Sequence, residues 1–263
     1  MLTAFFNRRE LVRELVVREI ASKYKGSFLG LFWSFITPLL MLGVYTFVFS
    51  FVFKARWTST GNEDGVSFAL TLFCGLIVFN LFAECVTRAP QLITANPHYV
   101  KKVVFPLEIL PIVTLGSALF HYLINLLILV AGIIIFQGWP SPHILLVPLL
   151  VMPLCLVSLG CAWFLASFGV FVKDINYNIA FLVQLLFFMT PICYPSSAVP
   201  PVFRGLFNLN IISMFVESSR DIIIYHRTFN WSWWLGASLA SAVVFILGYT
   251  WFMRTRVYFA DQV

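Results

Sequence analysis

A run of 64 residues without a single Asp, Glu, Lys or Arg constrains this chain more than any other feature. The run covers residues 109–172. A helix of about 20 predominantly apolar residues crosses a bilayer core, so the run is long enough for two crossings and a short connection. We therefore predict an integral membrane protein.

Four further charge-free runs, at 26–53, 65–83, 175–203 and 228–253, repeat the pattern. Turn-forming Gly and Pro residues at 137–142 divide the longest run in two. The sequence therefore predicts an all-α fold with six transmembrane helices in one domain over 26–263, after a separate segment at 1–25. The predicted spans are 30–53, 66–87, 110–136, 143–172, 176–194 and 232–253.

The basic residues are unevenly divided between the two sides of this topology. Of 17 Lys and Arg residues, 12 fall on the side of the N-terminus and 5 on the other. Because cytoplasmic loops are enriched in Lys and Arg, both termini are expected to be cytoplasmic. This topology explains the net charge of +6 without a nucleic-acid partner. Tryptophans cluster at the opposite boundary, where indole rings prefer to lie: Trp57, Trp139, Trp231, Trp233 and Trp234.

Residues 1–25 are typical of an amphipathic helix at the cytoplasmic membrane surface. Val12, Val16 and Ile20 recur every four residues on one face, although Arg9 and Glu19 interrupt it. A solvated basic tail is the alternative. The segment lacks the short apolar core of a cleavable signal peptide, so the first span is expected to act as its own insertion signal.

Two connections are longer than the 2 to 8 residues usual between packed helices. Residues 87–102 have room for a short helix between Pro90 and Pro97 that docks a partner, or they form a plain connector. Residues 195–230 have room for a helix over 211–225, which either re-enters the outer half of the bilayer or lies on its surface. On that helix, Glu217 and Arg220 have the i,i+3 spacing of an ion pair.

Several kinds of chemistry are excluded or disfavoured. None of the 14 glycines precedes a lysine, so the chain has no phosphate-binding G-x-x-x-x-G-K-[ST] loop. The four histidines lack metal-ligand spacing, and His121, in mid-span, is expected to hydrogen-bond across helices rather than relay protons. Glu84, Glu108 and Asp174 fall at span ends, which disfavours an ion-coupled transporter. The five cysteines have no C-x-x-C spacing and are interpreted as packing residues.

Aromatic residues are the positive indication of a cargo. They recur along one face of the first span, and flat apolar rings suit the faces of sugars. Lipid contact or helix packing produces similar stripes and is the alternative. The candidate substrate path consists of Phe28, Phe32, Trp33, Phe35, Phe49 and Phe53.

Three segments resemble those of ABC-2 type polysaccharide export permeases, which export O-antigen, capsule or teichoic acid. They are RELVVREIASKYKGSFLGLFWSFITP at 13–38, KVVFPLEILP at 102–111 and TPICYP at 190–195. With six spans and a matching length, the resemblance covers nearly the whole chain. Many relatives have Pro directly after the Asn that opens the second outer helix, whereas Ile211 follows Asn210 here. Asn210 remains a suitable N-cap.

The resemblance implies the ABC-2 permease fold, with an N-terminal interface helix, a cytoplasmic coupling helix after the second span and two short outer helices before the last. It also implies a homodimer with two cytoplasmic ATPase subunits that bind ATP and magnesium. This chain itself is then no enzyme and binds no cofactor. The expected cargo is a lipid-linked polysaccharide, with O-antigen as the first candidate. The expected location is a bacterial inner membrane, where the chain contacts the membrane lipids.

The resemblance assigns two further sets of residues. ATPase coupling falls on Gln91, Ile93, Asn96, His98, Tyr99, Lys101 and Lys102, and the outer gate on Asn210, Glu217, Arg220 and Asp221. Two alternatives to polysaccharide export remain open. One is an ABC-2 permease for drugs or small lipids, and the other is a membrane-embedded transferase, which the scarcity of carboxylate and histidine pairs disfavours.

Overall fold

The computed structural model describes residues 9–52, 65–101 and 105–262. These residues form helices, turns and loops, and they include no strand. Phe53, Lys102 and the start of the predicted N-terminal helix lie outside the described ranges. The α-helices are α1 (Arg9–Tyr24), α2 (Trp33–Tyr45), α3 (Gly65–Arg88), α4 (Pro97–Lys101), α5 (Ile109–Phe136), α6 (Val147–Phe171), α7 (Ile175–Phe188), α8 (Arg204–Leu209), α9 (Ile211–Ile223), α10 (Trp231–Thr255) and α11 (Phe259–Gln262).

Five of the six predicted spans are present as long apolar helical stretches, each of which begins within one residue of its expected start. A 3₁₀ turn at Gly30–Phe32 and a π-helix at Thr46–Val52 extend α2 in both directions, and a 3₁₀ turn at Pro142–Leu146 leads into α6. In the part of the chain that the structure describes, five helical stretches are long and apolar enough to cross a membrane. They are Gly30–Val48, Val66–Gln91, Ile109–Phe136, Pro142–Phe171 and Trp231–Tyr258.

The fifth span is shorter than predicted. The sequence predicted a helix over 176–194, but α7 ends at Phe188 after 14 residues, a length of about 21 Å at 1.5 Å per residue. Pro191 explains the early end, because proline lacks the N–H that a helix needs and disfavours a helical residue before it. Since a bilayer core is about 30 Å thick, α7 alone is too short to cross it.

α3 lies at the centre of the bundle. Its side chains between Phe68 and Val86 are mostly buried, and it packs against α5, α6, α7 and α9. The most extensive helix pair among the described residues is that of α6 and α10. There, a side chain on Gly160 or Gly248 would collide with the backbone of the opposite helix. Small residues allow membrane helices to approach this closely.

α1 packs against the first half of α5. Val12 and Val16 are half-buried on the packed face, and Val16 lies against Gly116 of α5. The alternative of a solvated tail is therefore wrong for residues 9–24. Glu19, which interrupts the apolar face, belongs to the packed side because its carboxylate meets the guanidinium of Arg88 at 2.6 Å.

The connector between α3 and α5 contains a short helix, but the predicted position between Pro90 and Pro97 is wrong. The chain forms a 3₁₀ turn at Ala89–Gln91, a turn at 92–95, and then α4, which begins at Pro97. Proline suits the first position of a helix, where its missing N–H is not needed. Pro97 therefore starts a helix instead of ending one.

The two short helices predicted between the last spans are present as α8 and α9. Asn210 caps α9 as expected, because its Oδ1 accepts a hydrogen bond from the N–H of Ile212 at 3.0 Å. One face of α9 is buried against α3, α6 and α10. The helix is thus inserted into the bundle, and the alternative of a surface-lying helix is wrong.

Candidate functional site

A cavity of about 890 Å³ opens between α1, α2, α3, α5 and α7. On α3 its lining extends from Phe73 to Arg88, which corresponds to about 22 Å along the helix axis. The end at Arg88 also receives Lys23 and Tyr24 of α1. The cavity therefore starts beside the N-terminal helix and reaches well into the bundle.

Helical periodicity explains why these residues meet at the cavity. On α5 the lining residues are Ala118, His121, Tyr122 and Asn125, whose spacing of three and four places them on one helix face. On α7 the lining residues have the same spacing of three and four; they are Ala180, Val183, Gln184 and Phe187. α2 contributes a corresponding face with Trp33, Ser34, Thr37, Pro38, Met41 and Tyr45.

The cavity wall combines aromatic rings with amide side chains. Asn80, Asn125 and Gln184 come from three different helices. Two polar atoms at this wall, Tyr122 Oη and Asn125 Oδ1, are buried and lack a hydrogen-bond partner among the described residues. A buried polar atom without a partner costs about 1 to 3 kcal/mol. A ligand with hydroxyl groups would therefore give these two groups a partner if their side chains rotated toward the cavity.

Charged side chains form a cluster at the Arg88 end of the cavity. Glu84 of α3 accepts a hydrogen bond from Lys23 Nζ at 2.9 Å, and Arg88 Nη1 lies 3.8 Å from the same carboxylate. The Glu19–Arg88 pair lies beside them. Burial raises the pKa of the Glu19 carboxyl, and the positive charge of Arg88 opposes that shift. The two negative carboxylates and the two positive side chains neutralise each other. The cluster therefore ties α1 to α3 without a net charge.

His121 of α5 joins the cluster through both of its ring nitrogens. Its Nδ1 lies 3.0 Å from Glu84 Oε2, and its Nε2 lies 3.0 Å from Tyr24 Oη. When Nδ1–H donates to Glu84, Nε2 of the neutral ring accepts from the Tyr24 hydroxyl. The cross-helix hydrogen bond predicted for His121 is confirmed. The sequence did not indicate its pairing with a carboxylate.

The structure places the predicted aromatic path on two sides of α2. Trp33 lines the cavity. Phe28, Phe32 and Phe35 are exposed on the surface of the single chain, and Phe49 lies in the π-helix. A role in passage of a cargo stays a prediction for the exposed phenylalanines, because α2 turns a different face to the cavity.

The predicted coupling residues lie at the end of the bundle that carries α1. Gln91 and His98 are exposed, whereas Ile93 is buried. Tyr99 stacks on Phe105 with ring centroids 4.2 Å apart, and Lys101 ends α4. Asn96 donates from Nδ2 to the carbonyl of Leu92 at 2.9 Å, which closes the turn before α4.

The connector is fastened to the bundle at its first turn. Pro90 lies so close to Gly169 of α6 that a Cβ on the glycine would stand 2.7 Å from the proline Cα. At the other end of the connector, the backbone carbonyl of Glu108 accepts a hydrogen bond from Trp163 Nε1. The carboxylate of Glu108 pairs with Arg256. Displacement of residues 91–99 would therefore act on α3, α6 and α10.

The predicted gate residues lie on or next to α9. Asn210 also donates from Nδ2 to Thr190 Oγ1 at 3.0 Å, which joins α9 to the segment after α7. The predicted ion pair is confirmed, since Arg220 Nη1 donates to Glu217 Oε1 at 2.9 Å. Arg220 is buried, whereas Glu217 remains partly exposed. Asp221 accepts at its carbonyl from the N–H of Arg227 at 2.7 Å.

Sequence reasoning missed the amide side chains, Tyr122 and the charged cluster. A usable signal was present, because Asn80 and Glu84 are four residues apart on α3 and His121 and Asn125 repeat that spacing on α5. Polar residues at helical spacing within two apolar spans indicate that these faces meet each other or a cavity.

Comparison with known proteins identifies the family of the chain. Residues 10–224 match the family described as ABC-2 type transporter. The chain belongs to this family. It is therefore a multi-pass membrane transport protein of ABC-2 type, and the resemblance noted in the sequence is confirmed.

This ABC-2 transporter is also similar to three permeases of one kind. It is 30% identical over 200 residues to the O-antigen export system permease protein RfbA of Myxococcus xanthus, a match that covers 76% of this chain and 74% of that protein. Two proteins of the same name from Klebsiella pneumoniae are 23% and 22% identical over 253 residues, with 96% of this chain and 94% of each relative covered.

Proposed function

We propose that this chain is the transmembrane subunit of an ATP-driven exporter of a lipid-linked polysaccharide, most directly an O-antigen. Two copies form the membrane pathway, and two ATPase subunits bind ATP and magnesium on the cytoplasmic side. Both termini lie on that side of a bacterial inner membrane. The names of the three relatives support this assignment of the cargo.

The chemistry of the cavity wall is the observation that carries the proposal. Aromatic rings offer flat apolar faces to sugar rings, and amide side chains provide both donors and acceptors for hydroxyl groups. Tyr122 Oη and Asn125 Oδ1 are buried at this wall and have no hydrogen-bond partner within the described part of the chain. Rotation of these side chains toward a passing glycan would satisfy them transiently, which suits a pathway that must release its cargo.

ATP hydrolysis would reach the pathway through the connector. Residues 91–99 present Gln91 and His98 to a partner, and the adjacent Pro90 lies against Gly169 of α6. α3, which ends directly before this turn, lines the cavity along its length. A push on the connector would thus shift α3 against α5 and change the shape of the cavity.

Homodimer formation would complete the pathway. Within the single chain, the outer faces of α2 and α7 expose large apolar side chains, among them Phe32, Phe35, Phe181 and Phe188. Both helices line the cavity. A second copy placed against them would enclose the cavity and bring the predicted phenylalanines to its wall.

Depletion of the protein in its native cell tests the proposal. Surface polysaccharide is quantified together with lipid-linked polysaccharide trapped inside, which a glycan probe detects only after permeabilisation. Loss at the surface with accumulation inside is the expected result. Unchanged amounts in both places would overturn polysaccharide export.

Complementation then tests the cavity itself. Asn125→Leu removes the half-buried amide at similar volume and is expected to reduce surface polysaccharide several-fold at equal protein level, because the wall loses a group that binds hydroxyls. The matched control is Leu123→Ala, which changes an exposed residue of α5 outside the cavity. Equal export by both variants would remove the cavity from the pathway.

A permease for drugs or small lipids is the second candidate. The cavity volume of about 890 Å³ falls within the range of about 300 to 1,000 Å³ typical of small-molecule sites. Under this alternative, depletion leaves surface glycan normal and changes drug tolerance. The same depletion experiment therefore separates the two candidates.

A further inference from the structure

Arg220 is a fully buried charge in a short helix, and its guanidinium is shared among several acceptors. Its side chain is 1% exposed. Nε donates to the carbonyl of Thr71 on α3 at 3.2 Å. Nη1 and Nη2 donate to the carbonyls of Pro191 and Ile192 at 2.6 and 2.8 Å. The guanidinium thus joins α9, α3 and the segment that follows α7.

The carbonyls of Pro191 and Ile192 need a donor because α7 ends early. Backbone that is not helical survives within a membrane only where protein or water satisfies its polar groups. Pro191 interrupts the helix, and the N–H groups of the 3₁₀ turn that follows at Ser196–Ala198 donate to Pro195 and Ser196 rather than to the carbonyls of Pro191 and Ile192. The planar guanidinium presents five N–H groups. Arg220 therefore supplies, from another element, the donors that a continuing helix would have supplied.

We propose that Arg220 is the positioning residue that holds α9 closed against α3 and the interrupted end of α7. This deepens the gate role suggested for α9 and rests on the proposed transport function. The three carbonyls belong to elements other than α9. When α9 moves away, Arg220 leaves all of them together, so the closed position is stable only while the guanidinium is in place.

Glu217 makes such a movement feasible. It lies one turn before Arg220 on the same helix and accepts from Nη1 at 2.9 Å, while part of its side chain is exposed. Because both residues move with α9, the arginine keeps its counter-ion when it leaves the carbonyls. An uncompensated charge, which is unfavourable in a membrane interior, is thereby avoided.

The native cysteines provide a test that needs neither ATP nor a glycan. Cys74 of α3 is fully buried beneath α9, where its Sγ lies 3.4 Å from Ser219 Oγ. Cys85 is equally buried on α3 but lies away from α9, at the level of Glu84. Labelling of the full-length chain in nanodiscs with a hydrophilic maleimide, resolved by peptide mass spectrometry, reports the opening of each site.

Two variants displace the guanidinium by independent means. Arg220→Lys keeps the charge but loses the fork of donors. Gly75→Ala keeps the arginine, yet its Cβ would stand 2.7 Å from Arg220 Nη2. The matched controls are Arg227→Gln, an exposed arginine beyond the same helix, and Gly236→Ala, where an added Cβ meets nothing within 4 Å.

Both displacing variants are expected to accelerate labelling of Cys74 about tenfold and to leave Cys85 unchanged, which corresponds to ~1.4 kcal/mol in the opening equilibrium. Wild-type rates at Cys74 in Gly75→Ala would overturn the proposal, even if Arg220→Lys fails to fold. Equal acceleration at Cys74 and Cys85 would also overturn it, because that result indicates general loosening. Failure of polysaccharide export in the cell would leave these rates unaffected, so the two proposals fail separately.

Discussion

The close contact between α6 and α10 gives a quantitative prediction about stability. A Cβ on Gly160 would stand 2.6 Å from the carbonyl oxygen of Val244 and 2.7 Å from the N and Cα of Phe245. Ordinary contact begins at 3.4 Å, so Gly160→Ala must push the helices apart by about 0.8 Å. The three colliding atoms belong to the backbone, so no side-chain rotation can relieve the overlap.

The expected cost follows from what the separation disturbs. Trp163 packs edge-on against Phe245 and Tyr249, with ring centroids 5.2 and 5.0 Å apart. A gap of 0.5 to 1 Å forfeits about a quarter to a half of such contact energy, and overpacking typically costs about 1 to 3 kcal/mol. Because backbone atoms form the contact between α6 and α10, we expect a cost at the upper end of this range, about 3 kcal/mol.

Gly236→Ala is the matched control in α10, since an added Cβ there meets open space. Both variants share the gain in helix propensity, about 1 kcal/mol, so their difference isolates the collision. The free energy of unfolding is measured by circular dichroism during titration with sodium dodecyl sulfate in mixed micelles. Free energies of unfolding that agree to within about 1 kcal/mol would refute the reasoning.

Three further predictions concern other parts of the chain. Glu84→Ala removes the acceptor shared by Lys23 and His121, so protease cleavage at the end of α1 is expected to accelerate several-fold; unchanged cleavage would show that apolar packing alone holds this helix. His226 has a positive φ of 55°, so the free energy of unfolding of His226→Gly should exceed that of His226→Val by about 1 to 2 kcal/mol, and equal values for the two variants in denaturant titrations would contradict this. Gly169→Ala should displace Pro90 and leave ATP hydrolysis without glycan export when assayed in vesicles with the partner ATPase; coupled transport in this variant would exclude the contact from the mechanism.

Five of the six spans were predictable because the bilayer imposes a length and a polarity on each helix. The charge-free runs located five long helices, and the i,i+3 spacing located the pair of Glu217 and Arg220. These features depend on residues close together in the chain. The N-cap at Asn210 was predictable for the same reason.

Contacts between distant segments were not predictable from the sequence. His121 meets Glu84 from 37 residues away, and Arg220 meets Pro191 from 29 residues away. The early end of α7 depends on Pro191, yet the apolar character of residues 175–203 favoured a longer helix. In the connector, Pro97 was interpreted as a boundary, although proline serves equally well as the first residue of a helix.

The weak packing of α2 within its own chain affects how such a transporter can change over generations. Phe28, Phe32 and Phe35 contribute little to the burial that stabilises a single copy, so substitutions there, which in the proposed dimer would reshape the wall of the pathway, come at small cost to the folding of one chain. Gly160 and Gly248 have no such freedom, because every larger side chain collides with backbone. One molecule thus combines a helix contact that accepts no larger residue with a surface whose residues can change as the exported polymer changes.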